Sequence, residues 1–147
     1  MPVQPSQGER SSVLNYRETM AKILSLVLGG AIGALLRYFV SGITHKYFEG
    51  VFPLGTLAVN LMGSFAIGIL WGLLEIKNVS PLWRTFLFVG ILGSFTTMST
   101  FTLESFNLIR DGEIKFALAN ILANNVLAIL LVFAGFSLTR EIMSLAR

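Results

Sequence analysis

Four apolar runs of membrane-crossing length divide the chain. The first starts at Ile23, continues without charge to Leu36, meets Arg37 and resumes through Thr44. Its reach suffices only where Arg37 lies near a membrane face, because a guanidinium at the bilayer centre is costly. The second run, 51–74, holds 24 residues without a charge and ends in a polar turn of Glu75, Lys77, Asn78, Ser80 and Pro81. A third run covers 85–103 and a fourth 116–139, separated by Glu104 and the charged turn Arg110, Asp111, Gly112, Glu113, Lys115. Each run is apolar on all faces for about twenty residues, the length a bilayer-crossing helix needs. Strands of a membrane barrel would instead alternate in polarity over roughly ten residues. The pattern therefore predicts an all-α membrane protein with helices over 23–44, 51–74, 84–104 and 115–139, forming one domain over 23–140. Residues 1–22 are polar, contain Pro2, Pro5, Ser6, Ser11 and Ser12, and lack the apolar core of a cleavable signal peptide. They are expected to form an N-terminal extension, mostly without order. Four crossings place both termini on one side.

Composition agrees with this reading and removes other functions. Of 147 residues, 54% are hydrophobic and 13% charged, whereas soluble domains carry charge on about a quarter of positions. The mean hydropathy is +0.73. The net charge of +3 is spread over the edges of the apolar runs and forms no basic face of the kind that binds nucleic acid. Zero Cys and one His exclude disulfides, thiolate zinc sites, Cys nucleophiles and a multi-histidine metal centre within one chain. No phosphate-binding loop or catalytic constellation occurs, so an enzyme is not expected.

Orientation follows the excess of Lys and Arg in short flanks. Arg10, Arg17, Lys22, Lys77, Arg84, Arg140 and Arg147 lie on the terminal side, against Arg37, Lys46, Arg110 and Lys115 on the other. That bias is weak, and it predicts insertion in both orientations with antiparallel pairing. Small residues offer close-packing surfaces at Gly29 and Gly33, Gly30 and Ala34, and Gly63 and Gly68. They serve either a homodimer interface or helix packing within one subunit.

Polar residues inside the runs require partners or a polar cavity. Thr56, Asn60 and Ser64 recur at i, i+4 and i+8 and share one face of the second helix. Asn120 and Asn124 do the same on the fourth, with Asn125 turned about 100° away. The third run carries Gly90 to Thr102, dense in Gly, Ser and Thr, which compete with the helical ladder. A break is expected near residues 93–97, and carbonyls freed there are ligands for a hard cation such as Na⁺. No carboxylate lies deep in a run; Glu104 falls at the end of the third. Neutral donors, aromatic rings and one edge arginine suit a passive pathway for a small anion. Asn and Thr acting only as interhelical glue are the alternative.

Three segments resemble motifs of the Fluc (CrcB) fluoride channels: residues 29–38 (GGAIGALLRY), 55–65 (GTLAVNLMGSF) and 90–101 (GILGSFTTMSTF). The third is the most specific. The resemblance implies a fluoride-selective passive channel that lowers cytoplasmic fluoride, built as an antiparallel, dual-topology homodimer in a bacterial inner membrane. It implies two pores, each lined by both subunits, and a structural, non-transported Na⁺ on the two-fold axis. By motif position, Asn60 matches the pore asparagine, Thr56 its neighbour one turn earlier, and the carbonyls of Gly93 and Thr96 the Na⁺ ligands. Phe101 matches the second of two pore phenylalanines, and Arg37 the arginine of the aqueous vestibule. Met98 stands where the family has its first phenylalanine, and Asn120 and Asn124 where it has a hydroxyl-bearing track. Ser99 and Thr100 match further polar positions of the third motif. An aromatic ring offers an anion its positive edge, while a thioether offers only flexible volume, and conduction is expected to survive that exchange. Two other readings remain at this stage. One is a non-conducting membrane assembly or regulatory subunit. The other is a small-molecule exporter, which would require a titratable relay that these runs lack.

Overall fold

A computed structural model describes residues 7–48, 50–76 and 79–145. Residues 1–6 of the extension, and Lys77 and Asn78 of the first polar turn, lie outside the described residues. The described chain is helical throughout, with α1 over Gln7–Tyr47 and α2 over Leu54–Ile76. Helix α3 covers 81–95 and includes a π-helical stretch, Thr85–Leu92. Helix α4 covers Met98–Arg110, and α5 covers Ile114–Leu145 with a second π-helical stretch, Ala123–Leu127. Four helical segments are long and apolar enough to cross a membrane: Val13–Tyr47, Leu54–Glu75, Pro81–Arg110 and Ile114–Leu145.

The helix ends follow local chemistry. Pro81 opens α3 in the first turn, where its missing N–H costs nothing. The α4 helix stops at Gly112, whose φ of 84° suits a residue without Cβ. There Glu113 N–H donates to Leu108 O at 2.8 Å and Gly112 N–H to Ile109 O at 3.1 Å, the paired bonds of a Schellman cap. Two expectations change here. Residues 7–22, expected without order, continue α1 as helix; Leu14, Met20, Ala21 and Lys22 are good helix formers and no proline intervenes after Pro5. Glu104 is not at the end of the third segment, because helical residues carry on past it to Arg110. Hydropathy falls at Glu104, but helix-compatible residues continue until Gly112.

Packing is dominated by two helix pairs, α1 against α3 and α2 against the later part of α5. Both pairs meet through glycine. A Cβ on Gly29 would fall 2.7 Å from Phe86 O, and one on Gly33 would strike the Ile91 carbonyl. On the other pair, Gly68 lies against the Val132 carbonyl and Gly135 against that of Phe65. Thr139 Oγ1 adds hydrogen bonds to Ile69 O at 3.3 Å and Gly135 O at 3.0 Å. Of the two roles open to the first-helix glycines, packing within the chain is the one observed for Gly29 and Gly33. The outer surface is apolar, with Leu24, Val27, Phe39, Phe133 and Leu145 among its exposed side chains.

Candidate functional site

Between α3 and α4 the backbone leaves the helical region for two residues. Thr96 has φ −74° and ψ 156°, and Thr97 has φ −146° and ψ 103°. Thr97 N–H, which in an uninterrupted α-helix would meet the Gly93 carbonyl, donates instead to Asn60 Oδ1 at 2.8 Å. The same amide of Asn60 returns a hydrogen bond from Nδ2 to Thr97 O at 3.3 Å. One side chain of α2 thus pairs with both backbone groups of Thr97, and so satisfies main-chain atoms that the helix no longer serves. Thr97 then caps α4: its Oγ1 accepts from Thr100 N–H at 3.4 Å and lies 2.8 Å from Thr100 Oγ1.

From Asn60 a chain of hydrogen bonds runs in one direction across three helices. Asn60 Nδ2 donates to Asn124 Oδ1 at 2.8 Å. Asn124 Nδ2 donates to Asn120 Oδ1 at 2.8 Å and to Asn120 O at 3.1 Å. Asn120, fully buried, donates to Ser105 Oγ at 3.0 Å, and Ser105 donates to Phe101 O at 2.9 Å. An amide carries two N–H donors, so both donors of Asn60 and both of Asn124 are engaged inside the chain.

Two concave surfaces flank Thr97. A groove of about 330 Å³ is lined on one wall by Asn60, Ser64 and Gly63 of α2, and on another by Met98 and Phe101 of α4. Gly93, Thr96, Asn124 and Asn125 complete it. Met98 is 68% exposed there, whereas Phe101 is 5% exposed. A second cleft, about 540 Å³, is lined by Arg37, Ser41, His45, Thr56, Thr97 and Thr100. Thr56 Oγ1 donates to Glu104 Oε1 at 2.7 Å, and Glu104 Oε2 is buried without a hydrogen-bond partner among the described residues. Arg37 Nη1 reaches 3.5 Å from Thr96 O, the outer limit of a hydrogen bond.

The residues singled out in the sequence are therefore distributed over four places. Asn60, Met98, Phe101, Asn124, Gly93 and Thr96 meet in the groove, and Arg37, Thr56 and Thr100 in the cleft. Asn120 is buried behind the groove, and Ser99 is exposed and lines neither surface. Sequence reasoning missed Ser105, the link between Asn120 and the Phe101 carbonyl. Its signal was present in its place one turn after Phe101. It also missed Asn125 as a groove residue, because a regular helix would turn it away from Asn124.

A bundle with four apolar crossings and a polar groove beside an interrupted helix defines a multi-pass membrane protein with an internal polar site. The sequence pattern of the CrcB family, described as CrcB-like protein, camphor resistance, matches residues 24–136. A fluoride-specific ion channel, FluC, of Parabacteroides distasonis is 44% identical over 128 residues, covering 87% of this chain and all of that protein. The FluC protein of Pyrococcus horikoshii is 48% identical over 123 residues, 82% of this chain and 98% of its own length. That of Salinibacter ruber is 46% identical over 116 residues, 79% and 87% respectively. The chain belongs to the CrcB (FluC) family, whose members are ion channels and not enzymes.

Proposed function

We propose that this chain is a fluoride-selective passive channel of the cell's inner membrane that lowers cytoplasmic fluoride, and that the groove is one wall of its pathway. The observation that carries the reading is the convergence of Asn60, Met98 and Phe101 on one groove in a chain whose relatives are named fluoride-specific channels. Fluoride holds its water tightly, and a selective pore has to replace that water with closely spaced neutral donors and ring edges. A fixed positive charge in the constriction would hold the ion too tightly, and Arg37 lines the separate cleft. There it raises the local anion concentration. A groove open on one side is half of a conduit, and an antiparallel second copy closes it, giving two pores in the dimer. Thr56, Ser99, Thr100, Asn120 and Asn124 then belong to the polar surroundings of the pathway, with Asn120 holding Asn124 from behind.

The interruption at Thr96 and Thr97 belongs to the same proposal, as a break of the third span at membrane depth. The Gly93 carbonyl, passed over by Thr97 N–H, and the Thr96 carbonyl are hard oxygen donors of the kind Na⁺ takes. Two such oxygens from each copy would hold the ion, and its charge would tie the copies together. Arg37 Nη1 lies 3.5 Å from Thr96 O, so a cation held by that oxygen would have the guanidinium beside it. A second reading has one observation in its favour: the donors of Asn60 and Asn124 are engaged within the chain, as in a non-conducting assembly subunit whose amides only hold helices. Expression in cells stripped of their own fluoride export separates the two. Growth restored in fluoride medium supports the channel, and full-level membrane expression without restored growth supports the assembly subunit.

A further inference from the structure

The amides that line the groove most prominently are occupied, which raises the question of what an ion in it would meet. Both Nδ2 hydrogens of Asn60 go to Thr97 O and Asn124 Oδ1, and both of Asn124 go to Asn120. Two other polar groups on the same walls keep spare capacity. Ser64 Oγ has no hydrogen bond among the described residues, and it lies half-buried on α2 one turn after Asn60. Asn125 Nδ2 spends one hydrogen on Ile121 O at 2.7 Å, which leaves its second N–H and its carbonyl oxygen unengaged.

Asn125 reaches the groove from a locally irregular part of α5. In a regular α-helix Asn124 and Asn125 point about 100° apart, and only one of them would face α2. Both nonetheless line one groove, and both lie in the stretch Ala123–Leu127, which is π-helical. Such π-bulges occur preferentially at functional sites.

Resting on the channel reading above, we propose that the Ser64 hydroxyl and the spare N–H of Asn125 are further donors that contact fluoride in the groove. Asn60 and Asn124, which line the same groove, also hold the interrupted helix and the π-turn in place through their internal bonds. A small anion replaces part of its hydration with these two donors from facing helices, and neither has to break an internal bond to serve it. The Met98 side chain and the Phe101 ring complete the walls between them.

The test is fluoride efflux from proteoliposomes with a K⁺ ionophore present, for Ser64→Ala and Asn125→Ser, with thermal unfolding of each protein in detergent. Ser64→Ala removes an oxygen that holds no internal bond, and Asn125→Ser keeps a donor for Ile121 O but no second N–H. Each is expected to slow fluoride efflux by about tenfold or more, the loss of one hydrogen bond to an anion, at an unchanged unfolding temperature for Ser64→Ala. Efflux at the unaltered rate in both variants overturns the assignment and leaves the channel reading standing. Slowed efflux with a lowered unfolding temperature in Ser64→Ala assigns that hydroxyl to structure and also overturns it. No efflux from the unaltered, verifiably inserted protein overturns the channel reading, and the assignment falls with it.

Discussion

Asn60 is the residue on which most of the local structure depends. Its carboxamide replaces helical partners on both sides of Thr97 and starts the amide chain to Phe101 O. Asn60→Asp keeps the acceptor for Thr97 N–H but turns oxygen toward Thr97 O and Asn124 Oδ1. Loss of the donated bonds is expected to cost about 1–3 kcal/mol, read as a lower unfolding temperature in detergent than that of the unaltered protein. Met98 is the opposite case. At 68% exposure in the groove it has room to change, so Met98→Phe is expected to shift stability by less than about 0.5 kcal/mol and to conduct fluoride at least as fast. Slower efflux would mean that the thioether supplies something a ring does not. The spacing of Thr56, Asn60 and Ser64 was legible as one face of a helix, but their partners were not. Thr56 pairs with Glu104 while Asn60 pairs with Thr97 and Asn124, because a partner depends on how neighbouring helices are rotated, which periodicity leaves open.

At the scale of elements, the glycines decide how closely the helices approach. Gly33 and Gly68 each face a backbone carbonyl of a neighbouring helix, while Gly42 of α1 has open space. Gly33→Ala and Gly68→Ala are expected to destabilise by about 1–3 kcal/mol through overpacking. Gly42→Ala is expected to be neutral or to stabilise by up to about 1 kcal/mol, the helix-propensity gain. Equal unfolding temperatures for all three would contradict the observed packing. The four crossings were legible from hydropathy, since lipid demands about twenty apolar residues from each. Helix ends were less so, because helix formation outlasts hydropathy: α1 starts at Gln7, well before Ile23, and α4 continues past Glu104. The π-turn at Ala123–Leu127 and the place of Asn125 in the groove left no signal in the sequence.

For the whole molecule, the question is what covers a polar groove in a bilayer. Unpaired polar groups facing hydrocarbon cost several kcal/mol each, so the groove has to meet water or a partner. Under the proposed channel reading, and with the weak charge asymmetry, that partner is an antiparallel second copy. Leu145 is 81% exposed near the C-terminus, and the chain has no cysteine of its own, so Leu145→Cys gives a single reporter. An impermeant thiol reagent applied from one side is expected to label about half of the molecules, as dual insertion requires. Labelling of all or none would remove the antiparallel pair, and with it the shared wall of each pore.

Selective passive fluoride conduction is measured by efflux from proteoliposomes loaded with fluoride or chloride, with a K⁺ ionophore to clear the voltage and an ion electrode outside. The expected result is rapid fluoride release, little chloride release, and loss of the fluoride signal when Na⁺ is replaced throughout preparation. Retention of fluoride by a verified dimer, or equal release of both halides, would contradict it.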